Sequence, residues 1–145
     1  MNEIETIDAL KQGKHSISLA WLLLMKHMLA VYFHDLDSVL AVASELRDMK
    51  SVIRKTGTVL PIVLSTHWFL EGLVLASLSR TDKKHVGPCR VILEKLKSDK
   101  HSGQQNFDNK IYLLEAQMAA AKGDRVVGLV NYKQSFEAAE RAVFF

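Results

Sequence analysis

The stretch that decides the fold is residues 106–143, which read NFDNKIYLLEAQMAAAKGDRVVGLVNYKQSFEAAERAV. Its apolar residues recur at helical spacing, and Gly123-Asp124 interrupts the pattern in the middle. Glycine commonly ends a helix, and aspartate commonly begins one. We therefore predict an antiparallel helical hairpin, with one helix over 107–122 and the next over 125–143.

The rest of the chain has the same spacing, interrupted by only two prolines and seven glycines. After a short N-terminal helix over 3–11, the predicted helices cover 16–33, 36–49, 59–79 and a segment that opens at Gly87-Pro88. They form two more hairpins, over 15–50 and 58–100. The predicted fold class is therefore all-α, with about three antiparallel hairpins in a single domain over 1–145.

The pattern also predicts which side chains face inward. On the helix over 16–33 these are Leu19, Leu22, Leu23, Met25 and Leu29. On the helix over 36–49, which Asp35 is placed to cap, they are Leu36, Val39, Leu40, Ala43 and Leu46. On the helix that follows Pro88 they are Cys89, Ile92, Leu93 and Leu96.

Small residues recur in the third hairpin where its two helices are expected to cross, together with two tyrosines. The set is Tyr112, Ala116, Gly123, Gly128, Tyr132 and Ser135. Its spacing resembles the tetratricopeptide repeat, in which small residues let two helices approach and an aromatic fills the gap between them. It departs from that family at Ala119, where an aromatic is usual, and at Glu140, where a proline is common. The resemblance implies a tetratricopeptide-like α-solenoid, and a compact helical bundle is the alternative.

A narrower resemblance covers residues 106–116 and the Gly123-Asp124 turn. This run is similar to the helical-repeat region of large multidomain sensor kinases. Those proteins join a serine/threonine-kinase-like domain, an AAA ATPase domain, helical repeats, a GAF domain and often a histidine kinase. The sequence contains neither a phosphate-binding glycine-rich loop nor a kinase catalytic loop. The resemblance therefore implies a non-catalytic, regulatory segment associated with signal transduction, which contacts a protein partner or flanking domains of a larger signalling protein.

The composition limits the class of protein and the cellular compartment that we expect. The chain has 145 residues, 48% hydrophobic and 24% charged, as expected for a globular domain. A single cysteine, Cys89, excludes an internal disulfide and favours a reducing compartment such as the cytoplasm. The longest uncharged stretch, 56–70, includes Pro61 and Ser65 and is too short and polar to span a membrane.

One histidine invites a catalytic interpretation. His67 lies in the most apolar predicted helix, and a histidine phosphotransfer module would use such a residue as its phosphate acceptor. That motif places lysine and glycine three and four residues further on, where this chain has Leu70 and Glu71. We therefore expect His67 to be buried, with Glu71 one helical turn away as a hydrogen-bonding neighbour. A phosphotransfer module that uses His67 stays as an alternative function.

Other chemistry finds no support in the sequence. None of the six histidines forms a pair with the three- or four-residue spacing of helical metal ligands, so we expect neither a metal nor a cofactor. Cys89 is expected to be a buried, inert thiol. No serine or threonine has an assignable base, and the chain is predicted not to be an enzyme.

The predicted binding residues lie in a basic segment and at the C-terminal end. Residues 80–110 hold eight lysines and arginines against four aspartates and glutamates, but lack the interleaved aromatics that stack on bases, so nucleic acid is not expected. We predict a protein-interaction or scaffold domain; a small structural subunit of a larger assembly is a further alternative. The candidate partner-binding residues are Arg90, Lys95, Lys97, Lys100, Phe144 and Phe145.

Overall fold

The computed structural model describes residues 3–12, 16–48, 60–101 and 107–143, and these residues are helical almost throughout. The prediction of an all-α fold is confirmed. Within these ranges no helix combines the length and apolarity needed to cross a membrane. The helices are α1 (Glu3–Gln12), α2 (Ser16–Tyr32), α3 (Leu36–Asp48), α4 (Leu60–Leu78), α5 (Val86–His101), α6 (Asp108–Lys122) and α7 (Arg125–Val143), with a 3₁₀ turn at Lys83–His85.

The predicted helix bounds agree with the observed ones to within a few residues, because residues that cap helices mark several of the ends. Asp35 caps α3 as predicted: its carboxylate accepts from the backbone N–H of Ser38 at 3.2 Å and from the Ser38 hydroxyl at 2.6 Å. These bonds hold the pKa of Asp35 below its usual value. Asp82 likewise accepts from the backbone N–H of Lys84 at 3.0 Å, at the start of the 3₁₀ turn.

The described contacts divide the chain into two compact units, Met1–His67 and Trp68–Phe145, with the boundary inside α4. In the first unit, α2 and α3 form the first predicted hairpin, and α1 packs against α2. Its core joins Leu19 and Leu23 of α2 to Val42 and Leu46 of α3. Ile7 and Leu10 of α1 pack against that core.

The first unit corrects the predicted inward face of α2. Met25 is 44% exposed and Leu29 is 57% exposed, although both were expected in the core. Since nearly every face of α2 is apolar, the sequence pattern does not select one face for burial. The small residues Ala20 and Ala30 instead lie on the buried face. On α3, Leu36 and Leu40 are also exposed, and Val42 is buried with the predicted Val39, Ala43 and Leu46.

The second unit brings α4, α5 and α6 together at Gly72. A Cβ atom on Gly72 would lie 2.9 Å from a methyl carbon of Leu114 and 3.2 Å from Ile92 Cγ2, so only glycine fits without a shift. The Cys89 thiol lies 3.5 Å from the Gly72 carbonyl oxygen, which places α5 directly against α4. The predicted inward stripe of α5 is confirmed, since Cys89, Ile92, Leu93 and Leu96 are all buried.

Each unit contains one of the two tryptophans of the chain. Trp21 lies on α2 in the first unit and is 39% exposed. Trp68 lies on α4 in the second unit and is buried, with Nζ of Lys95 5.3 Å from its ring centroid. The ammonium of Lys95 is thus held over an aromatic face, where the ring quadrupole attracts it.

Candidate interaction surface

The turn between α6 and α7 follows directly from its two residues. Gly123 adopts a left-handed conformation, with φ of 83°, and its N–H donates to the carbonyl oxygens of Ala119 and Ala120. Asp124 then begins α7, because its carboxylate accepts from the backbone N–H of Val127 at 3.1 Å. The predicted hairpin over 106–143 is therefore formed by the residues that were expected to form it.

The predicted packing residues lie along the contact between α6 and α7. Ala116 and Gly128 are both buried, and a Cβ on Gly128 would lie 3.6 Å from the Ala116 carbonyl oxygen. The hydroxyl of Ser135 donates to the Asn109 carbonyl oxygen at 2.7 Å and links the far end of the hairpin. The remaining members of the set, Tyr112 and Tyr132, are half-buried.

The other side of α7 exposes apolar side chains. Val126 is 74% exposed and Leu129 is 70% exposed, and Val127, Val130 and Phe136 are exposed as well. Farther along the helix, exposed charged positions such as Lys133 and Glu140 stand on either side of Phe136 in the sequence. The exposed surface of the first half of α7 is therefore mainly apolar. We call Val126, Leu129, Val130 and Phe136 the apolar face of α7.

A shallow groove of about 450 Å³ borders this apolar face. Two arginines lie among its lining residues, and the guanidinium of Arg80 donates to the Gln117 side-chain oxygen at 2.7 Å. The groove thus combines apolar surface with two positive charges. Its lining residues are Arg80, Ala120, Gly123, Arg125, Gly128, Leu129 and Tyr132.

A second groove, of about 310 Å³, lies near the other edge of α7 and includes Arg90. Lys122 is the other basic residue of its lining. Glu94, Glu115 and Asp124 also line it, so positive and negative charges are mixed there. Arg90 therefore lies among charges of both signs, whereas electrostatic attraction of an acidic partner requires a patch of uniformly positive charge.

Two of the other predicted basic residues, Lys97 and Lys95, have partners of their own. Lys97 forms ion pairs with Glu115 at 2.9 Å and Glu94 at 3.5 Å, and the hydrogen bond to Glu115 is the main cause that raises its pKa. Lys95 points instead toward the ring of Trp68. The side chain of Lys100, and Phe144 and Phe145, lie outside the described residues.

His67 contacts a residue that the sequence did not connect with it. Its Nδ1 lies 3.2 Å from Nδ1 of His27, and the two ring centroids are 5.1 Å apart. Both side chains are completely buried, which confirms the predicted burial of His67. Burial lowers the pKa of His27 from 6.5 to about 4, so its imidazole is neutral at physiological pH.

The Cys89 thiol and the residue types that ligate metals are the remaining groups whose chemistry the sequence raised. Cys89 is buried as predicted, and burial raises the pKa of its thiol to about 11, where little thiolate exists at neutral pH. Over the ranges that the structure covers, no three histidine, cysteine, aspartate or glutamate residues converge as metal ligands would.

Sequence reasoning missed the arginines and the apolar face of α7. Arg80 and Arg125 are far apart in sequence, and only the fold brings them to one groove. The available signal was the run VVGLV at 126–130, whose apolar residues are too continuous to face one buried side of a helix. Comparison with known proteins gives no further guide: no family model, curated protein or solved structure matches this chain.

Proposed function

We propose that this chain is a non-catalytic protein-interaction module, a regulatory or scaffold segment associated with signal transduction, which binds its partner on the apolar face of α7. The observation that carries the proposal is the exposure of Val126 and Leu129 beside an arginine-containing groove. A module with a lone buried thiol suits a reducing compartment, and we place it in the cytoplasm.

Binding at this face has a clear driving force. Burying a large aliphatic side chain that was exposed contributes about 1.5–3 kcal/mol. Leu129 and Val126 are both largely exposed in the free chain, so a partner that covers them gains this term. The backbone beneath them is already ordered by the α6–α7 packing, which lowers the entropic cost of association.

The groove also indicates the chemistry of the partner. Its apolar lining fits an aliphatic or aromatic anchor, and Arg80 and Arg125 can each donate charge-assisted hydrogen bonds to a carboxylate. An amphipathic helix presents an anchor and acidic residues at fixed spacing, and helix-in-groove binding uses such a pattern. We therefore expect an acidic amphipathic helix as the bound element.

The basic residues of α5 contribute less in this proposal. Lys97 is engaged with Glu115 and Glu94, and Arg90 lies in a groove of mixed charge. A carboxylate of the partner would have to compete with these existing ion pairs, so a contact with Lys97 adds little binding free energy. We expect neutralisation of Arg90, Lys95 and Lys97 to weaken partner binding less than a single charge placed on the apolar face of α7.

The alternative of a phosphotransfer module meets a steric obstacle. A phosphoryl donor must reach an imidazole nitrogen, and the His67 side chain is completely buried against His27. The alternative therefore requires an opening of the first unit. It predicts acid-labile phosphate on the chain that is lost in a His67→Gln variant.

Capture of partners from source-cell extract tests the proposal. Immobilised chain is compared with Leu129→Glu, which places a charge on the apolar face, and with Arg125→Glu, which reverses a charge of the groove. The matched control is Val91→Glu, at an exposed apolar position on α5 (57% exposed, against 70% for Leu129). We expect a protein that Val91→Glu retains and that Leu129→Glu loses by about tenfold or more, which corresponds to about 1.4 kcal/mol.

Three outcomes would contradict the proposal. Equal capture by Leu129→Glu and the unchanged chain would remove the apolar face of α7 from the site. Loss of the partner in an Arg90→Ala, Lys95→Ala and Lys97→Ala variant, or on removal of Phe144 and Phe145, would move the site to those residues. A partner held at fixed stoichiometry through washes and unaffected by every variant would favour the structural-subunit alternative.

A further inference from the structure

A second exposed apolar surface lies in the first unit, on α2 and on Phe33, the residue that follows it. Its members repeat every three or four residues and so form one continuous stripe. Every one of them is at least 39% exposed. We call this set the α2 stripe: Ile17, Trp21, Met25, Met28, Leu29, Tyr32 and Phe33.

The α2 stripe is larger than the apolar patches of ordinary monomers. At their exposed fractions, the seven side chains present roughly 800 Å² of accessible surface, about the share of one partner in a standard interface. Leu36 and Leu40 of α3 are also exposed and follow the stripe in sequence. The largest apolar patch on a typical monomer is about 300–600 Å². The area is therefore sufficient for a stable dimer.

The arrangement of the stripe suits pairing with itself. Ile17, Trp21, Met25, Leu29 and Phe33 follow one another at intervals of four residues, with Met25 in the middle. Residues at this interval form a ridge that packs into the grooves of a second helix. If a second copy of α2 crosses in the opposite direction at Met25, the Trp21 end of each ridge meets the Leu29 end of the other.

The charges near the stripe also favour a second copy of this chain as the partner. No aspartate, glutamate, lysine or arginine belongs to the stripe, so two copies meet without repulsion between like charges. The first turn of α2 has no acidic residue, while Asp35 and Asp37 follow its C-terminal end. Antiparallel pairing brings these carboxylates toward the positive end of the partner helix dipole. Anionic lipid is disfavoured by comparison, because it would repel Asp35 and Asp37 at the C-terminal end of the stripe.

We propose that two copies of this chain dimerise through the α2 stripe, in antiparallel pairing about a two-fold axis at Met25. This interface shares no residue with the apolar face of α7, so either proposal can fail without the other. The dimer would present two copies of the α7 surface and raise the avidity of the module for a partner with two binding segments.

Sedimentation and light scattering of the full chain test the proposal. At micromolar and higher concentrations we expect twice the 16.3 kDa mass of one chain. Met25→Glu places two carboxylates at the two-fold axis and should return the mass to that of one chain. Leu129→Glu, which makes the same kind of change on α7, should leave the dimer intact. Circular dichroism establishes that each variant is folded.

A cross-linking measurement fixes the axis independently of stability. In a Cys89→Ala background, a cysteine introduced by Met25→Cys meets its own copy at the axis, within disulfide reach. Oxidation should then yield a covalent dimer, whereas Glu45→Cys, at an exposed position outside the stripe, should not. A single-chain mass at all concentrations, a dimer that survives Met25→Glu, or equal cross-linking of both cysteine variants would overturn the proposal.

Discussion

The buried pair of His27 and His67 makes stability depend on pH in a defined direction. A hydrogen bond between their Nδ1 atoms, 3.2 Å apart, requires one protonated and one unprotonated nitrogen. Because the two Nδ1 atoms already share one proton, a further proton would have to bind an Nε2 atom in the buried interior. Nε2 of His27 is also buried without a hydrogen-bond partner among the described residues, so no group there would stabilise an imidazolium.

The magnitude follows from the pKa of His27, which burial lowers from 6.5 to about 4. Between these two values the unfolded chain binds a proton that the folded chain does not. Stability is therefore complete above pH 6.5 and decreases as the pH falls toward 4. At about 1.4 kcal/mol per pKa unit, the loss of unfolding free energy is about 3 kcal/mol over this window. Asp35 and Asp82, whose pKa values are lowered from 3.8, lose their contribution only at lower pH.

Urea unfolding followed by circular dichroism, at several values between pH 7.5 and pH 4.5, measures this loss. The informative variant is His27→Asn, because the asparagine side chain can offer a polar atom near the position of Nδ1 but does not titrate. His34→Asn is the matched control: His34 is exposed and has φ of 56°, a conformation that asparagine tolerates. We expect a clearly shallower profile for His27→Asn and the original slope for His34→Asn.

Two results would refute this reasoning. One is an unchanged free energy of unfolding between pH 7.5 and pH 4.5 in the original chain. The other is an equal slope in His27→Asn, which would assign the proton uptake to a different group. If His27→Asn is too unstable to measure, the midpoint of acid unfolding for the original chain and His34→Asn still tests the predicted window.

Three further predictions concern the second unit. Gly72→Ala should lower the unfolding free energy by about 1–2 kcal/mol, since the new methyl would overlap Leu114. Gly128→Ala should raise it by up to about 1 kcal/mol, because a Cβ there meets nothing nearer than 3.6 Å. Thermal melts of both variants measure the two changes, and changes of the same sign would contradict the assigned packing. Asp124→Ala should cost about 1 kcal/mol in the same melts through loss of the cap on α7. The Cys89 thiol should react with a thiol reagent only after urea unfolds the chain, and rapid labelling in native buffer would show that it is accessible.

The sequence predicts the helices better than it predicts their faces. Caps and turns are local, so Asp35, Gly123 and Asp124 mark helix ends whatever the tertiary structure. The buried face of α2 is not local. Since almost all of its side chains are apolar, only packing in the folded chain leaves Met25 outside and Ala20 inside.

The candidate sites show the same limit. The pairing of His27 with His67 joins residues 40 positions apart, and neither has a neighbour in the sequence that indicates the other. The groove beside α7 depends on Arg80 and Arg125, which the fold brings together from different segments. Lys97 and Lys95 have partners on other helices, Glu115 and Trp68, and a charge count does not detect such partners.

The distribution of the tryptophans gives each unit its own optical reporter. Trp21 reports on the first unit, and Trp68, beneath Lys95, reports on the second. Fluorescence of the Trp68→Phe and Trp21→Phe variants can therefore follow the two halves of the chain separately, without an added dye. Coincident unfolding curves would show that the two units unfold in one transition, and separate curves would give each unit its own stability.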